Sequence, residues 1–372
     1  MQSQVFTKRK ALCVLFLALL GCSTGHQMVT APIQEERQAK NVILMIGDGM
    51  GLSQISAGVY SSKRVMNIER FKIIGLQKTH SKDNLITDSS ASATAMARGV
   101  KADNATFGSS LERKAPKSVL EIAEENEYAT GITVTSSVTH ATPAAFVTYQ
   151  PYRTMHESIA SDFMLVNIDY LVGGGKKYFD RRNNDDRNLV SELLSKGYQV
   201  KSYLDGDLSD LTISNGKRFV YFTADSEPIS HNAGRDYFVH ACDYGVRFLQ
   251  NMDKDGFLFI IESSQIDWGG HSNIGPMVID ETVEFDQAIG RMLDFAQRDG
   301  ETLVIVTADH ETGGFSIVQE DTKGELIIGF NTKTHTATAV PVFAYGPGAE
   351  LFAGFYDNTE IHEKILKALG LD

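Results

Sequence analysis

The chain has 372 residues, 42% of them hydrophobic and 22% charged, with a formal net charge of −12 at pH 7. That composition supports a large buried core and excludes global disorder. The acidic balance argues against a nucleic-acid partner bound by phosphate neutralisation, whereas an anionic substrate stays open because a few metal ions or one arginine reverse the field locally.

The chain opens "MQSQVFTKRKALCVLFLALLGCSTGH". Lys8, Arg9 and Lys10 precede an apolar run from Ala11 to Leu20 that is too short to span a bilayer comfortably. The run ends in "LLGC", which resembles a bacterial lipobox. Residues 1–21 therefore read as a lipoprotein-type signal peptide and Cys22 as the site of lipidation; ordinary secretory cleavage nearby, without lipid, is the alternative. Residues 22–39 are polar and read as a tether, and residues 40–372 as a single domain. An exported protein anchored by lipid at the periplasmic face follows, with Ser23 compatible with the outer membrane. With Cys13 in the signal and Cys22 at the lipobox, Cys242 has no internal partner and reads as a small buried hydrophobe.

Five apolar runs look like buried parallel strands: 41–47, 130–136, 256–262, 302–308 and 339–346. Helical spacing appears over 116–127 and 281–300, the latter stopped by Gly300. Alternation of the two predicts an α/β fold, a mainly parallel central sheet covered on both faces. Residues 160–235, rich in charge, Asn and Gly, read as a peripheral excursion.

In open α/β sheets, ligands gather beyond the carboxyl ends of the strands. Asp48 follows the first run, and His140 and Thr142 follow the second. Glu262 ends the third, with Asp267 and His271 after it. Asp309 and His310 follow the fourth, and His335 shortly precedes the fifth. Asp267 and His271, four apart, face one cation if their stretch is helical. Asp309 and His310 do so if the backbone turns sharply. Mixed carboxylate and imidazole donors suit zinc, and two such sets with Asp48 imply two neighbouring ions. Taken singly, Asp48 also fits a turn between glycines, Glu262 a helix-start acid and Thr142 a turn before Pro143; a shared site explains them together. His26, His80, His156, His231, His240 and His362 read as structural or solvated.

In "LITDSSASATAMARGV" (85–100), Ser89 precedes a run of helix-compatible residues. At a helix start, the macrodipole favours an anion and an alkoxide there; a plain N-cap at Asp88 or Ser89 is the alternative. Small neighbours keep the approach to that hydroxyl clear. Arg153, in "YQPYR", fits a bidentate phosphate grip or an ordinary surface arginine.

At this point the chain resembles the alkaline phosphatase family. "ITDSSASAT" is similar to its signature around a phosphorylated serine, and "NVILMIGDGMG", "THATPAA", "ESSQIDWGGHSN", "TADHETGGF" and "HTATAVPVFAYGPG" resemble its other blocks in the right order. The likeness covers about residues 40–372 and is strongest to compact bacterial members, including the cold-adapted Antarctic type. It implies a three-layer α/β/α sandwich, often homodimeric, hydrolysing small phosphate monoesters through a phosphoserine at Ser89. It further implies two zinc ions, one on Asp267, His271 and His335 and one on Asp48, Asp309 and His310 with Ser89 able to join. One magnesium would sit on Asp48, Thr142 and Glu262, with the phosphate on Arg153. His140 and Trp268 stand where enteric members carry aspartate and lysine, which leaves open the identity of the third metal and whether His140 binds it or orders its waters. Competing readings are a related phosphodiesterase or sulfatase, and a lipid-anchored metal-binding protein without turnover. The anchor is tested by Cys22→Ala, which should move the protein from the membrane fraction to the soluble one; unchanged fractionation removes the anchor.

Overall fold

The computed structural model describes residues 37–108, 115–214 and 216–372. The signal peptide, Cys13, Cys22, His26 and all of the tether before residue 37 lie outside the described residues. The centre of the fold is built on strand β1 (Asn41–Gly47), buried at every position. Its side chains alternate between faces: Val42, Leu44 and Ile46 enter one apolar core and Ile43 and Met45 the other. A strand apolar on both faces must be covered on both, which makes the molecule three layers deep. Each of these side chains contributes about 1.5–3 kcal/mol by leaving water.

The remaining strands are β2 (Ile73–Lys78), β3 (Ala129–Ser137), β4 (Tyr170–Gly174), β5 (Gln199–Ser202), β6 (Phe219–Phe222), β7 (Phe257–Ser263), β8 (Thr302–Thr307), β9 (Glu311–Thr312), β10 (Ser316–Glu320), β11 (Leu326–Gly329), β12 (His335–Thr336), β13 (Val340–Tyr345) and β14 (Gly354–Asp357). Ten of them form one sheet in the order β14-β2-β13-β8-β1-β7-β3-β4-β6-β5, while β10 pairs with β11 and β9 with β12. This is the expected α/β/α sandwich.

Three expectations change. The run at 339–346 forms β13, which is antiparallel to both its neighbours, β2 and β8. Among the described residues no helix lies between β8 and β13. The chain leaves β8 at its carboxyl end and returns from the same end, and a parallel pairing would need a crossover. Residues 160–235 are peripheral only in forming the sheet's edge: β4, β6 and β5 continue it in parallel from β3. Their short strands, broken by charged loops, hide that pattern in the sequence. The helix expected at 281–300 begins earlier, at Gly275, with Pro276 in its first turn, and ends at Gly300 in the left-handed conformation (φ 74°).

Five helices matter to the site: α1 (Leu52–Ser61), α2 (Ser89–Arg98), α3 (Val119–Glu125), α4 (Ala141–Ala145) and the later helix Gln265–His271. Among the described residues none is long and apolar enough to cross a membrane. Helix α2 is buried along its whole length, and Arg98 at its end is its anchor. The Arg98 guanidinium donates to the carbonyls of Ala145 (2.9 Å) and Thr148 (3.0 Å), to that of Pro116, and to Glu121 of α3 (3.0 Å). It ties α2 to α3 and to the segment following α4. Cys242 is a buried free thiol within an apolar core. Arg98→Ala strips those acceptors of their donor and should cost about 3–5 kcal/mol of stability, as breaking a buried charge pair does; a shift in denaturant midpoint corresponding to under about 1 kcal/mol would show that α2 is anchored elsewhere.

Candidate active site

The parallel register brings strand ends from distant sequence to one edge. Ile46 of β1 lies beside Glu262 of β7 and Thr307 of β8. The next residues at that edge are Asp48 and, two past Thr307, Asp309. Gly49 has φ +73°, and a side chain there would meet Thr312 Oγ1 and the Asp267 backbone at 2.7 and 2.8 Å. Only glycine lets the turn after Asp48 approach so closely, and its N–H donates to Asp309 Oδ1 (3.1 Å).

Three groups of side chains converge there. The ligand atoms of Asp48, Asp309 and His310 lie within 4.8 Å of one another, as do those of Asp267, His310 and His335, and those of Asp48, His140 and Glu262. His271, on the helix Gln265–His271, joins the second group: its Nε2 is 3.3 Å from Asp267 Oδ2 and 3.1 Å from His335 Nε2. Ser89 Oγ lies 3.4 Å from His310 Nε2. Every metal-ligand candidate read from the sequence except Thr142 thus has a measured place in the cluster. Thr142 is fully buried in α4, two residues after His140.

The donor set fits metal ions. Both carboxylate oxygens of Asp48, with Asp309 Oδ2, Glu262 Oε1, Thr142 Oγ1 and His140 Nδ1, are buried without a hydrogen-bond partner. Unpaired polar atoms are costly in a protein interior, and so many side by side call for a cation. The histidines are prepared from behind: Nδ1 of His271 bonds the Lys333 carbonyl (2.6 Å) and Nδ1 of His335 the Thr87 carbonyl (2.8 Å). A carbonyl only accepts, so Nδ1 carries the proton and Nε2 presents its lone pair to the centre.

Electrostatics point the same way. Burial, then the Asp309, Asp267 and Glu262 carboxylates, push Asp48 well above the usual range. Burial raises Glu262 to about 8. Burial, then Arg153 and His156, lower His140 to about 3; burial, then His310, lower His335 to about 4. Burial also opposes charge on His310, but Asp309 beside it outweighs this and raises its pKa.

Around Ser89 the sequence is only partly informative. Asp88 is the N-cap of α2, accepting from Ala91 N (3.0 Å), and it also accepts from Arg153 (2.8 Å). Burial would raise its pKa, but the Arg153 guanidinium prevails and lowers it. Ser90 and Ser92, two of the small neighbours of Ser89, are bonded: Ser90 Oγ donates to both Asp88 oxygens and Ser92 Oγ to the Asp309 carbonyl (2.7 Å). Asn104 went unnoticed, and no local signal marks it; it accepts from Asp88 N and donates to the Ile86 carbonyl (2.9 Å). Thr312 was also missed, though it lies in "TADHETGG"; its hydroxyl donates to Asp267 and lies 3.2 Å from His310 Nδ1. The half-buried Trp268 sets its ring edge-on to His140, 6.0 Å between centroids. His156 remains a structural residue, 3.1 Å from Thr139 Oγ1 and stacked on Tyr178.

A buried, acid-rich cluster of candidate metal donors thus lies beside a serine at a helix start, on the carboxyl edge of a doubly covered parallel sheet. The family model for alkaline phosphatase matches residues 39–329 and 319–371. Alkaline phosphatase 3 of Bacillus subtilis is 34% identical over 97% of this chain and 97% of its own. The structure of alkaline phosphatase from the Antarctic bacterium TAB5 superposes with a TM-score of 0.85 at 40% identity, covering 90% of this chain and all of that one. Variants of the TAB5 enzyme with one histidine replaced by glutamate or aspartate hold magnesium in a site designated M3. The chain belongs to the alkaline phosphatase family.

The raised groups set the pH response of the metal-free protein. Folded Glu262 keeps its proton to about pH 8, whereas unfolded it ionises near 4.5; Asp48 and His310 are shifted in the same direction. The folded chain therefore binds more protons than the unfolded one between about pH 7 and 8, and stability falls as pH rises, by about 1.4 kcal/mol per proton per pH unit. His140 and His335 are lowered, so they lose their stabilising effect only as pH falls below their ordinary value of 6.5. Calorimetry of EDTA-treated protein should show the melting temperature dropping from pH 7 to 8, with zinc and magnesium removing the drop; parallel slopes with and without metal would contradict it.

Proposed function

We propose that the chain is an alkaline phosphatase that hydrolyses phosphate monoesters through a phosphoserine on Ser89. The observation that carries this reading is the convergence of unpaired buried metal donors on the cluster that holds the Ser89 hydroxyl. One zinc would be held by Asp267, His271 and His335, and a second by Asp48, Asp309 and His310, with Ser89 able to join it. Magnesium would be held by Asp48, Thr142 and Glu262. His140 beside them is a nitrogen donor, and in competition it would favour zinc over magnesium. The amino-terminal signal and Cys22 would place the activity at the periplasmic face of a membrane.

When bound, the ions supply Lewis acidity, lowering the pKa of a coordinated hydroxyl and neutralising charge on the entering and leaving oxygens. The protein does the rest by position. The amino end of α2 sets Ser89 in positive potential, where its alkoxide and the phosphate are both favoured. Arg153 binds two phosphate oxygens, and Asp88 holds it beside the nucleophile. Ser89 Oγ bonds to phosphorus as the ester P–O bond breaks and the alcohol leaves. Water then breaks the Ser89 Oγ–phosphorus bond and releases phosphate.

Purified protein should turn over p-nitrophenyl phosphate, lose that activity in EDTA, and regain it with zinc plus magnesium. Ser89→Ala should lower kcat by a factor on the order of 1,000 or more and form no labelled phosphoenzyme. Metal-bound protein without turnover, or label retained in Ser89→Ala, would overturn the reading.

A further inference from the structure

We infer that Glu311 is a positioning residue whose buried carboxylate locks together the three chain segments that carry Asp48, His310 and His335. The inference rests on the metal-site reading above, since the locked residues are those assigned to the two zinc ions.

Glu311 directly follows His310, and Thr336 directly follows His335. In the ladder of β9 with β12, Thr312 lies opposite His335 and Glu311 opposite Thr336. Side chains alternate along a strand, so Thr312 and His335 share one face and Glu311 and Thr336 the other. The first face is the site itself, where Thr312 bonds Asp267 and His335 lies against His310. The second is a buried back surface, on which Glu311 is only 4% exposed.

The Glu311 carboxylate collects donors from separate segments. Oε1 accepts from Gln54 Nε2 of α1 (2.7 Å) and from the Phe315 N–H (2.9 Å), and Oε2 accepts from the Thr336 hydroxyl. The same Gln54 nitrogen donates to the Thr312 carbonyl (2.9 Å), bracing β9 a second time. Helix α1 follows Asp48 within four residues, and its N-cap lies against the carboxylate stem. A Cβ on Gly51 would come within 2.6 Å of Glu311 Cγ.

The mechanical need is plain. β12 is two residues long and arrives after a separate hairpin; beside its two ladder pairs, the Gly313 N–H holds the Thr334 carbonyl (2.9 Å) and the Thr87 carbonyl holds His335 Nδ1 (2.8 Å), so the bond from Thr336 to Glu311 is its side-chain tie on the opposite face. The donors around Glu311 are neutral, so its carboxylate bears a desolvation cost that an apolar side chain of similar size would avoid. What an apolar side chain could not do is bind α1, the loop after β9 and β12 at once.

The test is zinc release to a chromogenic chelator from the zinc-loaded full chain. Thr336→Val keeps the shape and removes the hydroxyl; it should speed release of one zinc, the one on His335, by about 10- to 100-fold, the usual effect of removing a group that orients a metal ligand. Thr336→Ser, which keeps the hydroxyl, should release both ions at the wild-type rate. Glu311→Gln keeps the volume but loses the carboxylate, and should speed release of both. Wild-type release rates in Thr336→Val and Glu311→Gln alike would overturn the lock while leaving the metal-site reading standing. If Glu311→Gln fails to fold, Thr336→Val against Thr336→Ser decides alone. A wild-type protein that binds no zinc at all would sink the metal-site reading, and the lock with it.

Discussion

Mutual repulsion among buried carboxylates is the constraint on which this molecule turns. Asp48, Glu262 and Asp309 are fully buried, and Asp267 nearly so, all at one sheet edge. Without cations, burial and the neighbouring carboxylates push Asp48 up and burial pushes Glu262 up, while for Asp309 the adjacent His310 outweighs burial and holds it low, at about 2. Cations remove the conflict and turn the same crowding into affinity. The fold meets the geometric half of the problem through register: β1, β7 and β8 pair side by side in parallel, which sets Ile46, Glu262 and Thr307 level at one edge.

A hierarchy of support surrounds these acids. Main-chain carbonyls set the tautomers of His271 and His335, the Gly49 N–H holds Asp309, and Ser92 of α2 holds the Asp309 carbonyl. Asn104 and Asp88 do the same for the approach to Ser89 and for Arg153. Site and scaffold are therefore not separable, because the side chains that orient the donors belong to the elements that pack the two cores.

The sequence was most legible where strand and ligand coincide. β1, β3, β7 and β8 are continuous apolar runs, and each has a candidate donor at its carboxyl end or within three residues past it, so fold and site could be read together. The antiparallel sense of β13 could not be read, because a buried apolar strand looks the same in either direction and only the missing crossover betrays it. β4, β5 and β6 are four or five residues long and lie among charged loops, so their membership of the sheet shows only in pairing. Asn104, Gln54 and Glu311 escaped for another reason. Their partners lie far off in the chain or belong to the backbone, and neither relation leaves a local pattern.

That lone reversed strand has an evolutionary consequence. Because β8 leaves and β13 re-enters at the same edge, the 24 residues between His310 and His335 leave and return at that edge, carrying the β10–β11 hairpin between them. Lengthening such a connection disturbs no strand order, and each doubling of a flexible loop costs only about 0.6 kcal/mol in closure entropy. The fold therefore offers one place where new surface can be grafted over the reaction centre without rebuilding the sheet, provided the short β9–β12 ladder is kept.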